Sequence, residues 1–174
     1  QSLLSLRDQK INGALSQWLP EFLEMKLAMQ PGDFVPDANS TLRLTFGNVR
    51  GYEPEDGVYQ APFTTVGGLV AKGEQSGDYE INQELVAAYE AGNIEKYLKP
   101  SLKDVPVGLL YNMDTTGGNS GSPVMNAKGE LIGVNFDRAY TATINDFAWN
   151  DAYSRSIGVD IRFVLFVVDK VAKA

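Results

Sequence analysis

The chain has 174 residues, of which 44% are hydrophobic, so it is long enough to bury one sizeable core and to carry an appendage. Its 22 acidic residues outnumber its 15 basic residues, and the net charge of −7 argues against binding to nucleic acid or to anionic membrane surfaces. It contains neither cysteine nor histidine, which excludes disulfides, thiolate nucleophiles and thiolate–zinc sites and predicts no metal or other cofactor.

Helices are predicted at the start of the chain and strands after them. Residues 2–29 carry apolar side chains at helical spacing, and Pro20 is expected to divide them into two helices. After a Pro-Gly break, residues 41–46 alternate polar and apolar side chains as a half-buried strand does. The acidic segment at residues 51–57 lacks the spacing of a calcium-binding loop and is predicted to be a solvated turn.

The second half of the chain is predicted to alternate between strands and helices. Residues 82–98 have the apolar stripe of a helix, and residues 105–111 have the composition of a buried strand. Residues 122–135 form two apolar runs around a turn, which predicts a β-hairpin. Near the end, residues 157–163 are predicted to form a strand and residues 164–173 a closing helix, and no apolar run reaches the length of a membrane span.

Residues 115–124, with the sequence TTGGNSGSPV, carry the clearest chemical signal. The pattern Gly-x-Ser-Gly-small-Pro, which begins at Gly118, resembles the nucleophile loop of chymotrypsin-like serine proteases. Small residues permit a tight turn in which the Ser120 hydroxyl projects outward while the N–H groups of Gly118 and Ser120 form an oxyanion hole. A hairpin follows this loop, whereas the elbow of an α/β-hydrolase runs directly into a helix. Ser120 is therefore the predicted nucleophile.

The absence of histidine limits what this serine can do. A serine hydroxyl needs a neighbouring base to become a useful nucleophile, and in this architecture the base is histidine. Because the chain has none, it holds only part of such an active site. We therefore expect the chain to be inactive when it is alone.

Several segments resemble a bacterial family of serine dipeptidyl-peptidases, family 46 of the serine peptidases. These segments are residues 36–47, 52–65, 115–124, 132–138 and 156–163. The resemblance as a whole spans roughly residues 36–170. It implies a chymotrypsin-like double β-barrel with a helical domain inserted between the barrels. It also implies an exopeptidase that releases dipeptides from peptide N-termini, with its catalytic histidine and aspartate in an N-terminal part that this chain lacks.

The resemblance implies that the chain is a C-terminal fragment with a mainly β fold and a helical appendage. Residues 1–35 are expected to be the last helices of the inserted domain, and residues 36–174 the second, six-stranded barrel, which carries the nucleophile. The implied partners are a peptide substrate and the N-terminal part of the parent protein, and a homodimer of the parent is left open. The implied location is the periplasm or cell surface of a Gram-negative bacterium.

The strand after the hairpin receives its roles from the same resemblance. Asp137 matches an aspartate that binds the free amine of the substrate. Arg138 stands where the Asp/Glu-specific subgroup carries arginine and where the subgroup that prefers apolar side chains carries a small residue. Because a guanidinium can hold a carboxylate through two parallel hydrogen bonds, we expect a preference for Asp or Glu at the second (P1) position.

Two other functions stay open at this point. The chain could be a non-catalytic module that binds peptides, although its intact serine loop counts against that reading. It could also be a fragment of a trypsin-like endopeptidase. The Asp137-Arg138 pair counts against the endopeptidase, because such enzymes keep small residues in this strand. Asn119 replaces the aspartate that trypsin-type enzymes pair with a newly cut N-terminus, so no switch of that kind is expected.

Overall fold

Two units make up the chain in the computed structural model, Gln1–Val35 and Pro36–Ala174, and the structure describes residues 3–29, 42–73 and 79–174. The helices are α1 (Leu3–Met29), α2 (Val66–Gly73), α3 (Gln83–Glu90) and α4 (Ile161–Phe166), which continues into a π-helical turn at Val167–Ala172. The strands are β1 (Tyr52–Glu55), β2 (Val58–Gln60), β3 (Phe63–Thr65), β4 (Pro106–Tyr111), β5 (Pro123–Met125), β6 (Leu131–Arg138) and β7 (Ser156–Asp160). Short 3₁₀ helices cover Glu95–Tyr97 and Tyr140–Asp146. Within these described residues, none of the helices has the length and apolar character needed to cross a membrane.

The first unit contains one long helix, and the predicted break at Pro20 is wrong. Pro20 lies inside α1, which runs for 27 residues. A proline removes one backbone donor, but Leu19 and Glu21 beside it are good helix formers. The loss of one hydrogen bond therefore does not end a helix of this length.

The second unit is built on a five-stranded antiparallel sheet with the order β3-β4-β7-β6-β5. Strands β4 and β7 are paired at its centre, with Leu109 opposite Gly158. Leu109, Tyr111 and Val124 form a buried cluster on this sheet. Strand β4 leads into the serine loop and β5 leaves it, so the sheet fixes both ends of that loop.

The prediction of a closed six-stranded barrel is wrong for the residues that the structure describes. The main sheet has five strands and stays open, while β1 and β2 form a separate hairpin. The predicted strand at residues 41–46 has no sheet partner over its described part, residues 42–46, where Leu42, Leu44 and Phe46 are 86–101% exposed. An alternating sequence becomes a strand only where a neighbouring strand completes its hydrogen bonds, and no strand among the described residues pairs with this segment.

The hairpin predicted after the serine loop is confirmed as the antiparallel pair β5 and β6. Its turn is closed by Asn126, whose Oδ1 accepts hydrogen bonds from the N–H groups of Lys128 and Glu130 at 2.9 and 3.0 Å. The acidic segment at residues 51–57 is more than a plain turn, because it contains β1 and the turn that joins β1 to its antiparallel partner β2. Across residues 3–29, 42–73 and 79–174, no group of three acidic side chains is placed to hold a metal ion.

A second apolar cluster lies between the helices and the sheet. Its buried members are Val66, Leu85, Tyr97, Val105 and Phe166. The rings of Tyr97 and Phe166 meet edge to face, with their centroids 5.6 Å apart. This arrangement is the favoured one for two aromatic side chains, and it joins the C-terminal helix to the core.

Two predicted boundaries are wrong, whereas the buried strand predicted at residues 105–111 is confirmed as β4. The helix predicted at residues 82–98 ends at Glu90, because Gly92 and Asn93 take positive φ angles of 73° and 60°. The strand predicted at residues 157–163 ends at Asp160. The Asp160 carboxylate accepts the N–H of Arg162 at 3.0 Å and thereby caps α4.

Candidate active site

The serine loop, residues 115–122, connects β4 to β5 and turns sharply on both sides of Ser120. Gly118 and Gly121 have φ angles of 93° and 87°. L side chains rarely adopt this conformation, so glycine suits both positions. A Cβ on Gly121 would meet no atom within 4 Å, which means that backbone conformation rather than crowding selects glycine there.

Backbone hydrogen bonds hold this loop against β6. The N–H of Gly121 donates to the carbonyl of Asn135 at 2.8 Å, and the N–H of Asn135 donates to the carbonyl of Ser122 at 2.9 Å. Within the loop, Asn119 Oδ1 accepts the N–H of Thr116 at 2.7 Å. The loop is therefore tied to the strand that follows the hairpin as well as to itself.

The first residue of the loop is tied to β7. Thr115 and Ser156 are both buried, and their hydroxyl oxygens lie 2.7 Å apart. Ser156 Oγ donates its single proton to the carbonyl of Met113 at 2.9 Å, so the Thr115 hydroxyl is the donor to Ser156. This chain of hydroxyls fixes where the loop starts on the central part of the sheet.

Ser120 is exposed, and its hydroxyl rests on β6. Its Oγ donates a hydrogen bond to the carbonyl of Phe136 at 3.1 Å. Phe136 is the extra residue of a β-bulge, because Asn135 pairs with Gly158 while Asp137 pairs with the preceding residue of β7. A bulge re-aims the strand locally, and here its extra residue offers its carbonyl to the serine.

The N–H groups of Gly118 and Ser120 were predicted to form an oxyanion hole. Over the part of the chain that the structure describes, neither group donates a hydrogen bond. The structure thus leaves both donors available, and their role as an oxyanion hole stays a prediction.

Asn135, which was not among the predicted site residues, lies beneath the loop. Its side chain is part of a residue that is only 6% exposed. Its Oδ1 accepts a hydrogen bond from the Tyr111 hydroxyl at 2.5 Å, and its Nδ2 donates to the carbonyl of Asn119 at 3.2 Å. Burial raises the pKa of Tyr111 well above its ordinary value of 10.0, so this hydroxyl keeps its proton and donates it. An asparagine at an inward position of an apolar strand was the signal that could have identified it.

Asp137 and Arg138 stand at the end of β6, directly after the carbonyl that holds Ser120. Asp137 is exposed, and its Oδ1 accepts the N–H of Arg138 at 2.8 Å. Thus the structure brings the predicted nucleophile and both predicted substrate-binding residues to one end of the sheet. Their roles in binding a substrate stay predictions.

The Arg138 side chain is held on one side only. Its Nη1 donates to Asp146 Oδ1 at 3.0 Å and lies 3.5 Å from the carbonyl of Ala142. The side chain is 17% exposed, while that of Asp146 is 52% exposed. Nε and Nη2 of Arg138 have no partner within the described ranges, so one edge of the guanidinium is free to take an acceptor.

Comparison with known proteins gives matches along the whole chain. The peptidase S46 family model matches residues 1–174. The Asp/Glu-specific dipeptidyl-peptidase of Porphyromonas endodontalis is 42% identical over 166 residues, which cover 95% of this chain and 23% of that protein. Dipeptidyl-peptidase 7 of Phocaeicola vulgatus is 42% identical over 142 residues, which cover 81% of this chain and 20% of that protein. The chain therefore spans about a quarter or less of the length of these relatives.

A solved structure matches the fold as well as the sequence. The crystal structure of DPP11 from Porphyromonas endodontalis in complex with the dipeptide Arg-Asp gives a TM-score of 0.75 at 42% identity. The match covers 84% of this chain and 21% of that one. Shared sequence, shared helices and antiparallel sheets, and a family match over every residue lead to one conclusion: the chain belongs to the peptidase S46 family.

Proposed function

We propose that this chain carries the nucleophile of a serine exopeptidase that releases dipeptides from peptide N-termini and prefers Asp or Glu at P1. One observation carries the proposal. The chain belongs to the peptidase S46 family, and its Ser120 is exposed on a glycine turn. The Ser120 hydroxyl donates a hydrogen bond to the carbonyl of Phe136, the residue directly before Asp137 and Arg138. The names of the relatives, which are dipeptidyl-peptidases, support the reaction class.

In the proposed reaction, Ser120 Oγ attacks the carbonyl carbon of the peptide bond that follows P1. A base takes the hydroxyl proton, and the N–H groups of Gly118 and Ser120 stabilise the negative oxygen of the tetrahedral intermediate. The C–N bond then breaks, the leaving amine takes up the proton, and water hydrolyses the acyl-enzyme. The Phe136 carbonyl orients the hydroxyl but is too weakly basic to deprotonate it. We therefore assign the base to sequence outside these 174 residues.

Asp137 is proposed to bind the N-terminal ammonium of the substrate. Its carboxylate is exposed, and one oxygen accepts the N–H of Arg138 at 2.8 Å. That bond orients the carboxylate and leaves lone pairs for an ammonium group. A carboxylate at a fixed distance from the nucleophile selects a peptide bond that lies a set number of residues from a free amine, which is the requirement for an exopeptidase.

Arg138 is proposed to bind the P1 carboxylate through its free edge. Asp146 engages Nη1, so Nε and Nη2 remain as a fork of two parallel donors. The 17% exposure of the side chain means that little water competes for that fork. Overall identity does not choose between the subgroups, because the Asp/Glu-specific relative and dipeptidyl-peptidase 7 are both 42% identical to this chain. The choice of an acidic P1 residue therefore rests on Arg138.

The remaining assignments follow from the same family relationship. We place residues 1–35 at the end of the inserted helical domain and residues 36–174 in the C-terminal β unit that carries the nucleophile. The rest of the parent chain is its partner, with the catalytic histidine and aspartate. A periplasmic or cell-surface location in a Gram-negative bacterium suits an enzyme that degrades peptides.

Replacement of Ser120 in the full-length protein, the gene product that contains these 174 residues, tests the proposal. We expect Ser120→Ala to lower kcat for a dipeptide reporter by at least about 10³-fold, because the nucleophile is lost. The matched control is Ser122→Ala, which removes a neighbouring hydroxyl of the same loop and keeps the backbone hydrogen bonds. It should stay within about tenfold of the wild type.

Steady release of dipeptides by Ser120→Ala at a rate near that of the control would refute the assignment of the nucleophile. Absence of dipeptide release by the wild type, with folding intact, would instead favour a non-catalytic peptide-binding protein.

A further inference from the structure

We propose that Asn135 is a positioning residue that aims the Ser120 N–H of the oxyanion hole. The inference rests on the proposed function and concerns the same site. Asn135 belongs to β6 and does not touch the reacting atoms in the proposed reaction. Its effect passes through the peptide unit that joins Asn119 to Ser120.

That peptide unit is fixed on its carbonyl side. The Asn119 carbonyl accepts hydrogen bonds from the N–H of Ser122 at 3.0 Å and from Asn135 Nδ2 at 3.2 Å. A planar trans peptide group directs its C=O and its N–H to opposite sides. The two donors that hold the carbonyl therefore also set the direction of the Ser120 N–H.

The orientation of the Asn135 amide is itself determined. A backbone carbonyl can only accept, so the group that faces Asn119 must be Nδ2. Oδ1 then faces Tyr111, whose hydroxyl donates to it at 2.5 Å. Because Asn135 is only 6% exposed, water does not offer the amide an alternative partner.

Asn135 also joins the loop to the strand through its backbone. The Asn135 carbonyl accepts a hydrogen bond from the Gly121 N–H at 2.8 Å, and the Asn135 N–H donates to the carbonyl of Ser122 at 2.9 Å. These bonds place the asparagine side chain under the Asn119–Ser120 peptide and do not depend on the side chain itself. A change of the side chain can therefore tilt this peptide while the loop stays attached to β6.

An oxyanion donor acts by being aligned before the charge develops. A tilt of the Ser120 N–H should weaken binding of the transition state and leave binding of the ground state nearly unchanged. This selectivity separates a positioning role from a structural one, which would lower both affinities or reduce the folded fraction.

The test uses Asn135→Asp in the full-length protein, because aspartate has the same shape but replaces the Nδ2 donor by an acceptor. We expect kcat to fall by about 10–100-fold with KM within about threefold of the wild type. A dipeptide aldehyde that ends in Asp should bind about 10–100-fold more weakly, because its adduct with Ser120 places an oxygen in the oxyanion hole. The dipeptide Arg-β-alanine keeps the amine and the side-chain carboxylate of Arg-Asp but lacks its α-carboxylate, so it places no oxygen in the oxyanion hole and should bind within about threefold of the wild type.

Asn145→Asp is the matched control. Asn145 is 8% exposed, and its Oδ1 accepts a hydrogen bond from the Ser154 hydroxyl at 2.7 Å, so the same isosteric change is made at similar burial away from the serine loop. Asn145 precedes Asp146, the partner of Arg138, but both ligands carry the acidic P1 side chain, so the ratio of their affinities does not depend on that contact. Asn145→Asp should change the ratio of aldehyde affinity to dipeptide affinity by no more than about threefold. Its kcat should also stay within about threefold of the wild type. If Asn135→Asp does not fold, Asn135→Ala gives the same comparison without a buried carboxylate.

Equal loss of aldehyde and dipeptide affinity in the Asn135 variant, or unchanged kcat and aldehyde affinity, would overturn the positioning role. Neither result bears on the assignment of Ser120 as the nucleophile. That assignment would fail if Ser120→Ala stayed active and the wild type did not bind the aldehyde.

Discussion

In the proposed function, the preference at P1 depends on a single side chain, that of Arg138. A desolvated guanidinium that faces an apolar P1 side chain lacks a partner, and an acidic side chain without its arginine is stranded in the same way. Asp146 holds Nη1 at 3.0 Å and so keeps the other edge of the guanidinium in a defined orientation. The preference for Asp or Glu should therefore depend on the fork of donors and not on charge alone.

Arg138→Gly in the full-length protein should lower kcat/KM for a reporter with Asp at P1 by at least about 30-fold more than for one with Leu, which corresponds to about 2 kcal/mol. Arg138→Lys keeps the charge but lacks the fork, so it should lower kcat/KM for the Asp reporter by less than Arg138→Gly does. Asp137→Ala is the control, because every substrate has the amine that Asp137 is proposed to bind. Equal losses on both reporters for Arg138→Gly would contradict the specificity proposal and leave the nucleophile untouched.

At the scale of elements, an ionic contact joins the C-terminal π-helical turn to the 3₁₀ helix at Glu95–Tyr97. Asp169 Oδ2 accepts hydrogen bonds from Lys96 Nζ and from the Tyr97 hydroxyl, both at 2.6 Å. The bonds from Lys96 and Tyr97 hold the pKa of Asp169 below its ordinary value of 3.8. The same contact raises the pKa of Lys96 to about 12.

The sign of the pH dependence follows from these shifts. A carboxyl group whose pKa is lower in the folded state than in the unfolded state stabilises the folded state. This contribution is present above about pH 3.8, the ordinary pKa, and is lost as the pH falls through the pKa of the folded state. Asp169→Asn should lower Tm by at most a few degrees at pH 7, and the difference from the wild type should shrink below pH 3.8. Thermal unfolding of both proteins between pH 2 and pH 7 checks this, with Asp56→Asn in the β1–β2 turn as a control. A difference that does not change with pH would mean that the ion pair is not the cause.

At the scale of the whole molecule, the features that could be predicted from sequence are the local ones. The turn around Ser120 and the β5–β6 hairpin depend on glycines, asparagine and alternation within a few residues, and both are found where they were expected. The end of the helix at Glu90 was missed, although Gly92 and Asn93 mark it, because the apolar stripe continues beyond them. Sequence periodicity does not record where a positive φ angle interrupts a helix.

Features that depend on distant pairing could not be predicted in this way. The segment at residues 42–46 alternates as a strand should, yet strand formation requires a partner that its own sequence does not specify. The contact of Asn135 with Tyr111 joins residues on different strands and appears only once the sheet register is known. The partner of Arg138 is similarly hidden, because Asp146 lies in an irregular 3₁₀ segment with no repeating pattern.

The central claim is that Ser120 is a nucleophile whose base comes from sequence outside these 174 residues. Its most direct test treats the full-length protein and the isolated 174-residue chain with a serine-directed fluorophosphonate and maps the adduct by peptide mass spectrometry. We expect one adduct per full-length molecule, on Ser120, with loss of dipeptide release. The isolated chain should form no adduct in the same time, since a serine without a base reacts slowly. An adduct on another serine that accompanies the loss of activity, or equally fast modification of Ser120 in the isolated chain, would contradict it.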